Sequence, residues 1–295
     1  MTLLRVTGGR TLELEPGRPL LMAIVNASPD SFSDGGRTGD LSAQVELAHK
    51  LVEAGAHLID VGGESGVTDR PPTSPEEELG RVLPLVERLA ADGVIVSVDT
   101  WKPEVARGVV DAGAAMINDV SGLLYPELAD ACAASGAGLV VMHTRAKPKE
   151  KTFPRYDDPL EDVIAFLRER IALAGEHGVG EEQIVVDPGP DFGKTPAQTV
   201  QVVRKLAALR ELGRPILLAV SRKDFVGALT QRPPRERLAG SLAAIGEGVD
   251  AGAEMLRVHD VAEVRDFLTV RAALRGEANV PEDLHLEESL RRQRA

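Results

Sequence analysis

Five short segments with acidic or amide side chains each follow directly on an apolar run, and this repeat constrains the possible folds strongly. The segments are IVNASPDSFSDGG at 24–36, LIDVGGES at 58–65, SVDT at 97–100, MINDVSG at 116–122 and VVDPG at 185–189. Each apolar run has the length of a strand, so the polar residues would emerge at the same end of a parallel sheet. A chain that repeats strand, polar tip and helix builds one site from many loops, as enzymes on a closed β/α barrel do.

The succession of apolar runs predicts an α/β protein that forms a single (β/α)8 TIM barrel with a short N-terminal β-hairpin. Eight such runs favour a barrel over an open doubly wound sheet, which usually has fewer strands. Three helix starts are indicated by a capping residue followed by proline, at Ser74, Asp158 and Thr195. The predicted strands lie at about 20–26, 58–62, 94–98, 115–118, 138–142, 184–187, 216–220 and 254–258.

The domain organisation predicted from these patterns is one catalytic domain and a tail. Residues 1–275 form the barrel domain, with the hairpin at about 3–14, and the charged residues 276–295 form a surface helix or a partly disordered tail. Two long polar loops, 62–74 and 144–158, follow strands and are expected to cover the barrel mouth as mobile loops.

Charge and cysteine content argue against several kinds of partner. The chain has 34 Lys and Arg against 46 Asp and Glu, a net charge of −12, so no nucleic-acid or anionic membrane surface is expected. No apolar run reaches the roughly 18 residues of a membrane span, and no secretion signal is visible. The single cysteine, Cys132, has no partner for an intrachain disulfide and is expected in the core. We therefore expect a cytoplasmic protein.

Polar residues at the predicted strand ends are the candidates for the active site. The chain has only three asparagines, and two of them, Asn26 and Asn118, fall at predicted strand ends. Asp99 and Asp187 end two other strands. Because the carboxyl ends of barrel strands hold the active site, we expect Asp99, Asn118 and Asp187 to converge on one pocket.

A basic set follows the last two strands, where barrels commonly bind phosphate. It consists of Lys223, Arg257 and His259. The sequence 221–224, SRKD, is typical of a helix start, whose free N–H groups favour an anion. His259 could instead be a capping or core histidine, and Arg222 could lie on a solvated face or in a local ion pair.

Seven segments, in order, resemble the dihydropteroate synthase family of pterin-binding TIM barrels. They are NASPDSFSDGG, GAHLIDVGGES, SVDT, INDVSG, DPGPDFGKT, SRK and RVHD, and the similarity runs from about 20 to 270. The first segment is highly specific, whereas VDT or SRK alone would be a weak signal. The resemblance implies a transferase of folate biosynthesis, which condenses 6-hydroxymethyl-7,8-dihydropterin pyrophosphate with 4-aminobenzoate to give 7,8-dihydropteroate and pyrophosphate. It also implies Mg²⁺ as cofactor and a homodimer.

The resemblance further implies a role for each matching residue. The pterin would be bound by Asp99, Asn118, Asp187, Lys223 and Arg257. The pyrophosphate would be bound by Asn26, Arg257 and His259, with Asn26 also a ligand of the metal. Asp34 and Lys223 would be catalytic, and 4-aminobenzoate would be bound by Ser221, Phe192 and Arg70.

The chain departs from the family pattern near the 4-aminobenzoate residues. After GGES the family continues Thr-Arg-Pro-Gly, but residues 66–71 read GVTDRP, so Arg70 is displaced. Pro190 and Asp191 stand where the family has an apolar residue and glycine. Residues 141–144, VMHT, lack the second methionine of the usual Met-His-Met-type segment.

These departures leave alternatives open. One is a pterin-binding homologue with lost or altered synthase activity. Another is a methyltetrahydrofolate-binding domain of the methyltransferase type, which would lack the loop SPDSFSD at 28–34. A phosphate-binding aldolase barrel would need a Schiff-base lysine within a strand, and no predicted strand contains a lysine.

Overall fold

Eight parallel strands form the barrel in the computed structural model, which describes residues 2–27, 40–64 and 71–291. A separate antiparallel hairpin, β1 and β2, precedes them. The barrel strands are hydrogen-bonded in the order β8-β7-β6-β5-β4-β3-β10-β9. The strand bounds are β1 Thr2–Val6, β2 Arg10–Leu14, β3 Leu20–Asn26, β4 Leu58–Gly62, β5 Val96–Asp99, β6 Met116–Asp119, β7 Gly138–Met142, β8 Ile184–Asp187, β9 Leu217–Leu218 and β10 Met255–Val258.

A single bridge closes the barrel between the two ends of this order. Val186 of β8 pairs in parallel with Ile216, just before β9, and the Val186 amide donates to the Pro215 carbonyl over 2.9 Å. We call this junction the seam. The predicted strand 216–220 is shortened to the two residues of β9, since only one residue of this segment pairs with β8. The predicted strand 94–98 is shifted to Val96–Asp99.

Helices follow the strands and surround the barrel. All three helix starts predicted from capping residues are confirmed, because Ser74, Asp158 and Thr195 each accept a hydrogen bond from a backbone N–H of the first helical turn. The helices are α1 Leu41–Glu53, α2 Pro75–Ala91, α3 Pro103–Asp111, α4 Glu127–Ser135, α5 Pro159–Glu176, α6 Pro196–Arg204, α7 Asp224–Thr230, α8 Leu238–Ala251, α9 Val261–Leu274 and α10 Glu288–Arg291.

The hairpin seals the amino-terminal end of the barrel. Leu4, Val6 and Leu14 are fully buried and belong to one cluster with side chains from inside the barrel, among them Met116 and Val185. Burial of these apolar groups stabilises the closed bottom of the barrel. The hairpin leaves the opposite end of the barrel, at the carboxyl ends of the strands, available for a binding site.

The remaining sequence predictions concern the core, the tail and membranes. Cys132 is buried as predicted, and burial raises the pKa of its thiol. Residues 276–291 are mostly exposed and contain only the short α10, while the domain division at 275 stays a prediction. Within the described ranges, every helix is too short or too polar to cross a membrane.

Candidate active site

The strand ends bring the predicted pterin residues to one end of the barrel. Asp99 is the last residue of β5 and pairs in register with Asn118 of β6. Asp187 is the last residue of β8, and Arg257 lies in β10. Lys223, which precedes α7, has Asp187, Asp99 and Arg257 among its charged neighbours. The predicted convergence of these five side chains is therefore present in the fold.

Arg257 lies between two carboxylates. Its Nε donates to Asp60 Oδ2 over 2.6 Å, and a terminal nitrogen donates to Asp99 Oδ2 over 2.9 Å. Asp60 Oδ2 also accepts from the side-chain amide of Asn118 over 3.1 Å. Burial raises the pKa of Asp99 to about 7, against the opposing effect of Arg257. These contacts fix the guanidinium plane and the amide of Asn118 in one network.

Asp60 is a member of this network that sequence reasoning missed. It is fully buried in β4, inside the otherwise apolar sequence LIDVG. A charged residue in the middle of a buried strand is rare unless it is paired. That position was the available signal, but nothing in the sequence identified Arg257 and Asn118 as its partners.

Two buried oxygens in the network have no hydrogen-bond partner among the described residues, and they mark where a ligand would bind. They are Oδ1 of Asp60 and Oδ1 of Asn118. The NH₂ group of Asn118 donates to Asp60, and this orientation of the amide leaves its oxygen unpaired. Buried acceptors are normally satisfied, so this oxygen calls for a donor from a bound molecule.

Asp187 and Lys223 present opposite charges from the two sides of the seam. Asp187 is 3% exposed, its Oδ1 accepts from the Gly189 amide over 2.7 Å, and burial raises the pKa of its carboxyl. Burial lowers the pKa of Lys223. The Lys223 ammonium lies 4.3 Å from the centre of the Phe192 ring, a cation–π contact. Phe192 and Lys223 were both predicted site residues, and the fold brings them together.

Ser221 and His259 are in contact at the same end of the barrel. The Ser221 hydroxyl lies 3.0 Å from Nδ1 of His259 and accepts from the His259 amide over 3.2 Å. The helix start predicted within 221–224 is confirmed, because α7 begins at Asp224, although Ser221 itself lies three residues before it. His259 is exposed, so the core-histidine interpretation is wrong. Arg222 forms a local ion pair with Asp260, which was one of its two predicted alternatives.

Three further predicted site residues are Asp34, Arg70 and Asn26. Asp34 and Arg70 lie outside the described residues. Asn26 ends β3 with an exposed side chain. In the described part of the chain, no group of three or more His, Cys, Asp and Glu could hold a metal ion. A metal here would depend on Asn26 and on oxygens brought by a ligand.

A buried lysine, which sequence reasoning missed entirely, supports the loop after β8. Lys194 is 1% exposed, and its ammonium donates to the carbonyls of Gly189 and Phe192 over 2.9 and 3.1 Å. It also lies 2.6 Å from Nδ1 of His143, whose Nε2 is 2.8 Å from Asp162. Burial lowers the pKa of Lys194 to about 7 and that of His143 to about 3. Lys194 thus holds the turn that carries Phe192.

Comparison with known proteins identifies the family to which this site belongs. Residues 22–259 match the model of a family described as pterin binding enzyme. The dihydropteroate synthase of Escherichia coli is 40% identical over 92% of this chain and 96% of its own length. A Mycobacterium bovis protein named inactive dihydropteroate synthase 2 is 38% identical over 88% of this chain and 84% of its own length.

Solved structures give the same result at the level of the fold. The dihydropteroate synthase of Xanthomonas albilineans with 4-aminobenzoic acid superposes with a TM-score of 0.85, at 45% identity, over 95% of this chain and 100% of that one. The same enzyme in complex with 7,8-dihydropteroate gives a TM-score of 0.82 at 45% identity, over 94% and 100% of the two chains. The chain belongs to the dihydropteroate synthases of the pterin-binding enzyme family.

Proposed function

We propose that this protein joins 6-hydroxymethyl-7,8-dihydropterin pyrophosphate to 4-aminobenzoate, giving 7,8-dihydropteroate and pyrophosphate. The observation that carries the proposal is the cluster of Asp99, Asn118, Asp187, Lys223 and Arg257 at one end of the barrel. It is supported by the relative from Xanthomonas albilineans, whose structures contain 4-aminobenzoic acid in one case and 7,8-dihydropteroate in another.

The pterin ring has a flat edge of N–H donors, and the cluster offers acceptors of matching kind. Asp187 has one oxygen engaged by Gly189 and a second for the ligand. Asn118 offers its unpaired oxygen, and Lys223 would donate to the ring carbonyl. Arg257 is bound to carboxylates at its edge, so its planar face would stack on the ring. A ring without these donors would leave buried acceptors unpaired, which selects strongly against it.

Departure of pyrophosphate develops negative charge on oxygen, and cationic groups would stabilise it. Arg257 would contact the phosphates as a cation. His259 would contact them as a neutral hydrogen-bond donor, because desolvation and the neighbouring Arg257 lower its pKa to about 4. Mg²⁺ is part of this proposal, with the exposed amide oxygen of Asn26 as one ligand. Gly62 keeps the space beside this oxygen open, because a Cβ atom at position 62 would lie 3.5 Å from it. Magnesium prefers hard oxygen ligands and commonly takes the others from phosphates and water. When bound, it would neutralise charge on the leaving group.

The second substrate would lie on the seam side of the pocket. The Phe192 ring, which contacts Lys223, would pack on the aminobenzoate ring, and Ser221 would bind the carboxylate. The amine nitrogen would bond to the pterin methylene carbon while the carbon–oxygen bond to pyrophosphate breaks and the amine loses a proton. Asp34 would receive that proton and Arg70 would help close the site, as the resemblance implies. No side chain becomes a covalent nucleophile.

The decisive experiment measures incorporation of labelled 4-aminobenzoate into dihydropteroate with Mg²⁺ present. Product formation that stops when the metal is chelated supports the proposal and the role of Mg²⁺. Product formation that continues unchanged under chelation would contradict the role of Mg²⁺ but support the synthase activity. Absence of both product and pterin binding would overturn the proposal.

A second candidate is a homologue that binds pterin without making dihydropteroate. It is favoured by the 38% identity to a relative named inactive and by the displaced arginine at 66–71. Tight pterin binding without product would select this candidate. A gain of product on replacing Val67→Arg would then assign the loss to the second loop.

We extend the proposal to a homodimer located in the cytoplasm. Large apolar side chains are exposed on α7 and α9, at Leu229, Val270 and Leu274, which are 69%, 59% and 83% exposed. Such side chains are more common at interfaces between subunits than on a monomer surface. The single cysteine fits a reducing compartment. Light scattering at micromolar concentration should give twice the 31.4 kDa chain mass, and 31.4 kDa would contradict the dimer.

A further inference from the structure

The seam is the weakest backbone junction of the barrel, and predicted substrate residues stand on both sides of it. In the described ranges, sheet pairing between β8 and the β9 segment is the single bridge of Val186 and Ile216. Neighbouring strands elsewhere in the barrel pair over two to five residues. Asp187 stands at the end of β8 on one side, and Lys223 follows β9 on the other. A contact across the seam at the carboxyl end of these strands would therefore control the geometry between Asp187 and Lys223.

Asp191 makes that contact. It lies in the loop after β8, and its Oδ2 accepts from the backbone amide of Phe225 in the first turn of α7, over 3.2 Å. Its Oδ1 accepts from the Thr199 hydroxyl of α6 over 3.2 Å, and the same hydroxyl accepts from the Asp191 amide over 3.1 Å. Thr199 is fully buried. One carboxylate thus joins the loop after β8 to helices on both sides.

The backbone of Asp191 indicates that the loop is held in a specific conformation. Its φ is +68°, in the left-handed region that non-glycine residues rarely adopt. Aspartate tolerates this region better than most residues, because its short polar side chain can form local hydrogen bonds. Here both carboxylate oxygens have partners, and these hydrogen bonds offset the strain. The conformation turns the next residue, Phe192, toward Lys223.

The charge of Asp191 also acts on Lys223. Burial lowers the pKa of Lys223, and Asp191 is the foremost of the carboxylates that raise it. Asp187 and Asp99 raise it as well, while Arg257 lowers it further. Removal of the Asp191 charge would therefore make Lys223 lose its proton at a lower pH.

We propose that Asp191 is a positioning residue: its carboxylate fastens the loop after β8 to α7 across the seam, and so fixes the pair Phe192 and Lys223 that receives both substrates. The proposal rests on the synthase function proposed above. It applies to a position where this chain carries aspartate in a backbone conformation that glycine would adopt without strain.

The test compares Asp191→Asn and Asp191→Gly with the wild type. Asparagine tolerates the same backbone and keeps one acceptor, but it removes the charge. Glycine relieves the backbone strain and removes both hydrogen bonds. Asp283→Asn, in the exposed tail, is the matched control for the removal of a charge. Steady-state kinetics across pH and amide hydrogen exchange of the Phe225 N–H are measured for each protein.

Three results are expected together. Asp191→Asn shifts the alkaline limb of kcat/KM for the pterin substrate to lower pH, which a purely structural role would not do. Asp191→Gly raises KM for 4-aminobenzoate at least fivefold. Exchange at the Phe225 amide becomes at least tenfold faster in Asp191→Gly, while Asp283→Asn matches the wild type.

Unchanged pH profile, KM within twofold and unchanged exchange at Phe225 would overturn the proposal. If Asp191→Gly fails to fold, the pH profile of Asp191→Asn decides alone. The exchange measurement needs no substrate, so a wild type without synthase activity would contradict the proposed function and still leave the seam contact tested.

Discussion

Among the single residues, a buried carboxylate determines what the pocket offers to a ligand. Asp60 accepts from both Arg257 and Asn118, and so fixes the guanidinium plane and the direction of the amide. The pocket then presents an amide oxygen rather than an NH₂ group. Under the proposed function, specificity for a ring with N–H donors would depend on Asp60, which lies behind the residues that would touch the ring.

Replacement of Asp60 by asparagine should weaken pterin binding while leaving the fold intact. The introduced amide could donate to Asn118, which would then be free to turn its NH₂ toward the ligand, and Arg257 would lose an ion-pair partner. Loss of one such buried interaction corresponds to about 1–3 kcal/mol, or roughly 5- to 150-fold in Kd. Calorimetric titration with the dihydropterin pyrophosphate measures it. Asp111→Asn, on the exposed end of α3, is the control, and equal affinity in Asp60→Asn would refute the role.

Among the elements, the loop after β8 is held by an ammonium group inside the protein. Lys194 reaches under the turn to the carbonyls of Gly189 and Phe192, while His143 contacts it from the loop after β7. His143 in turn is paired with Asp162 of α5. Two further elements, the loop after β7 and α5, are therefore connected to the segment that carries Phe192.

The stabilising effect of Lys194 should depend on pH. Its pKa is lowered to about 7 in the folded chain from its ordinary value near 10.4, so the unfolded chain binds more protons between these values. Stability of the wild type relative to Lys194→Met should therefore increase as pH rises from about 7 to 10, by at most about 1.4 kcal/mol per unit. Urea unfolding at pH 7, 8 and 9 measures this difference.

The control for this experiment is Lys50→Met, whose side chain is 66% exposed. Its stability relative to the wild type should change far less over the same range. A difference between wild type and Lys194→Met that stays constant with pH would show that the folded chain does not perturb this lysine.

Over the full barrel, the hairpin closes the bottom and the site occupies the top. Leu4 is fully buried against the barrel interior, whereas its neighbour Leu3 on the same strand is 49% exposed. Leu4→Ala should lower the free energy of unfolding by roughly 2–5 kcal/mol through lost burial and the cavity left behind. Leu3→Ala should cost far less. Denaturant unfolding compares the two, and equal losses would mean that the hairpin does not seal the barrel.

The barrel and the main candidate residues could be predicted from the sequence because both depend on local periodicity. Apolar runs of strand length lead up to Asp99, Asn118 and Asp187. In a parallel barrel the carboxyl ends of the strands lie together, so these runs are enough to predict that the three side chains share one site. Asp60 could not be assigned, because its partners come from β6 and β10 and only the closed barrel brings them near. The burial of Lys194 and the two-residue β9 likewise depend on contacts between distant segments.

Remote strand ends are proposed to assemble one pterin site, and a substitution at Asp187 gives the sharpest test of it. Asp187→Asn retains the shape of the side chain and an acceptor for the Gly189 amide, but it removes the charge that would face the donor edge of the ring. Calorimetric titration with dihydropterin pyrophosphate should show at least a 100-fold loss of affinity, about 3 kcal/mol, with an unchanged circular dichroism spectrum. Binding as tight as in the wild type would place the pterin elsewhere and contradict the proposed site.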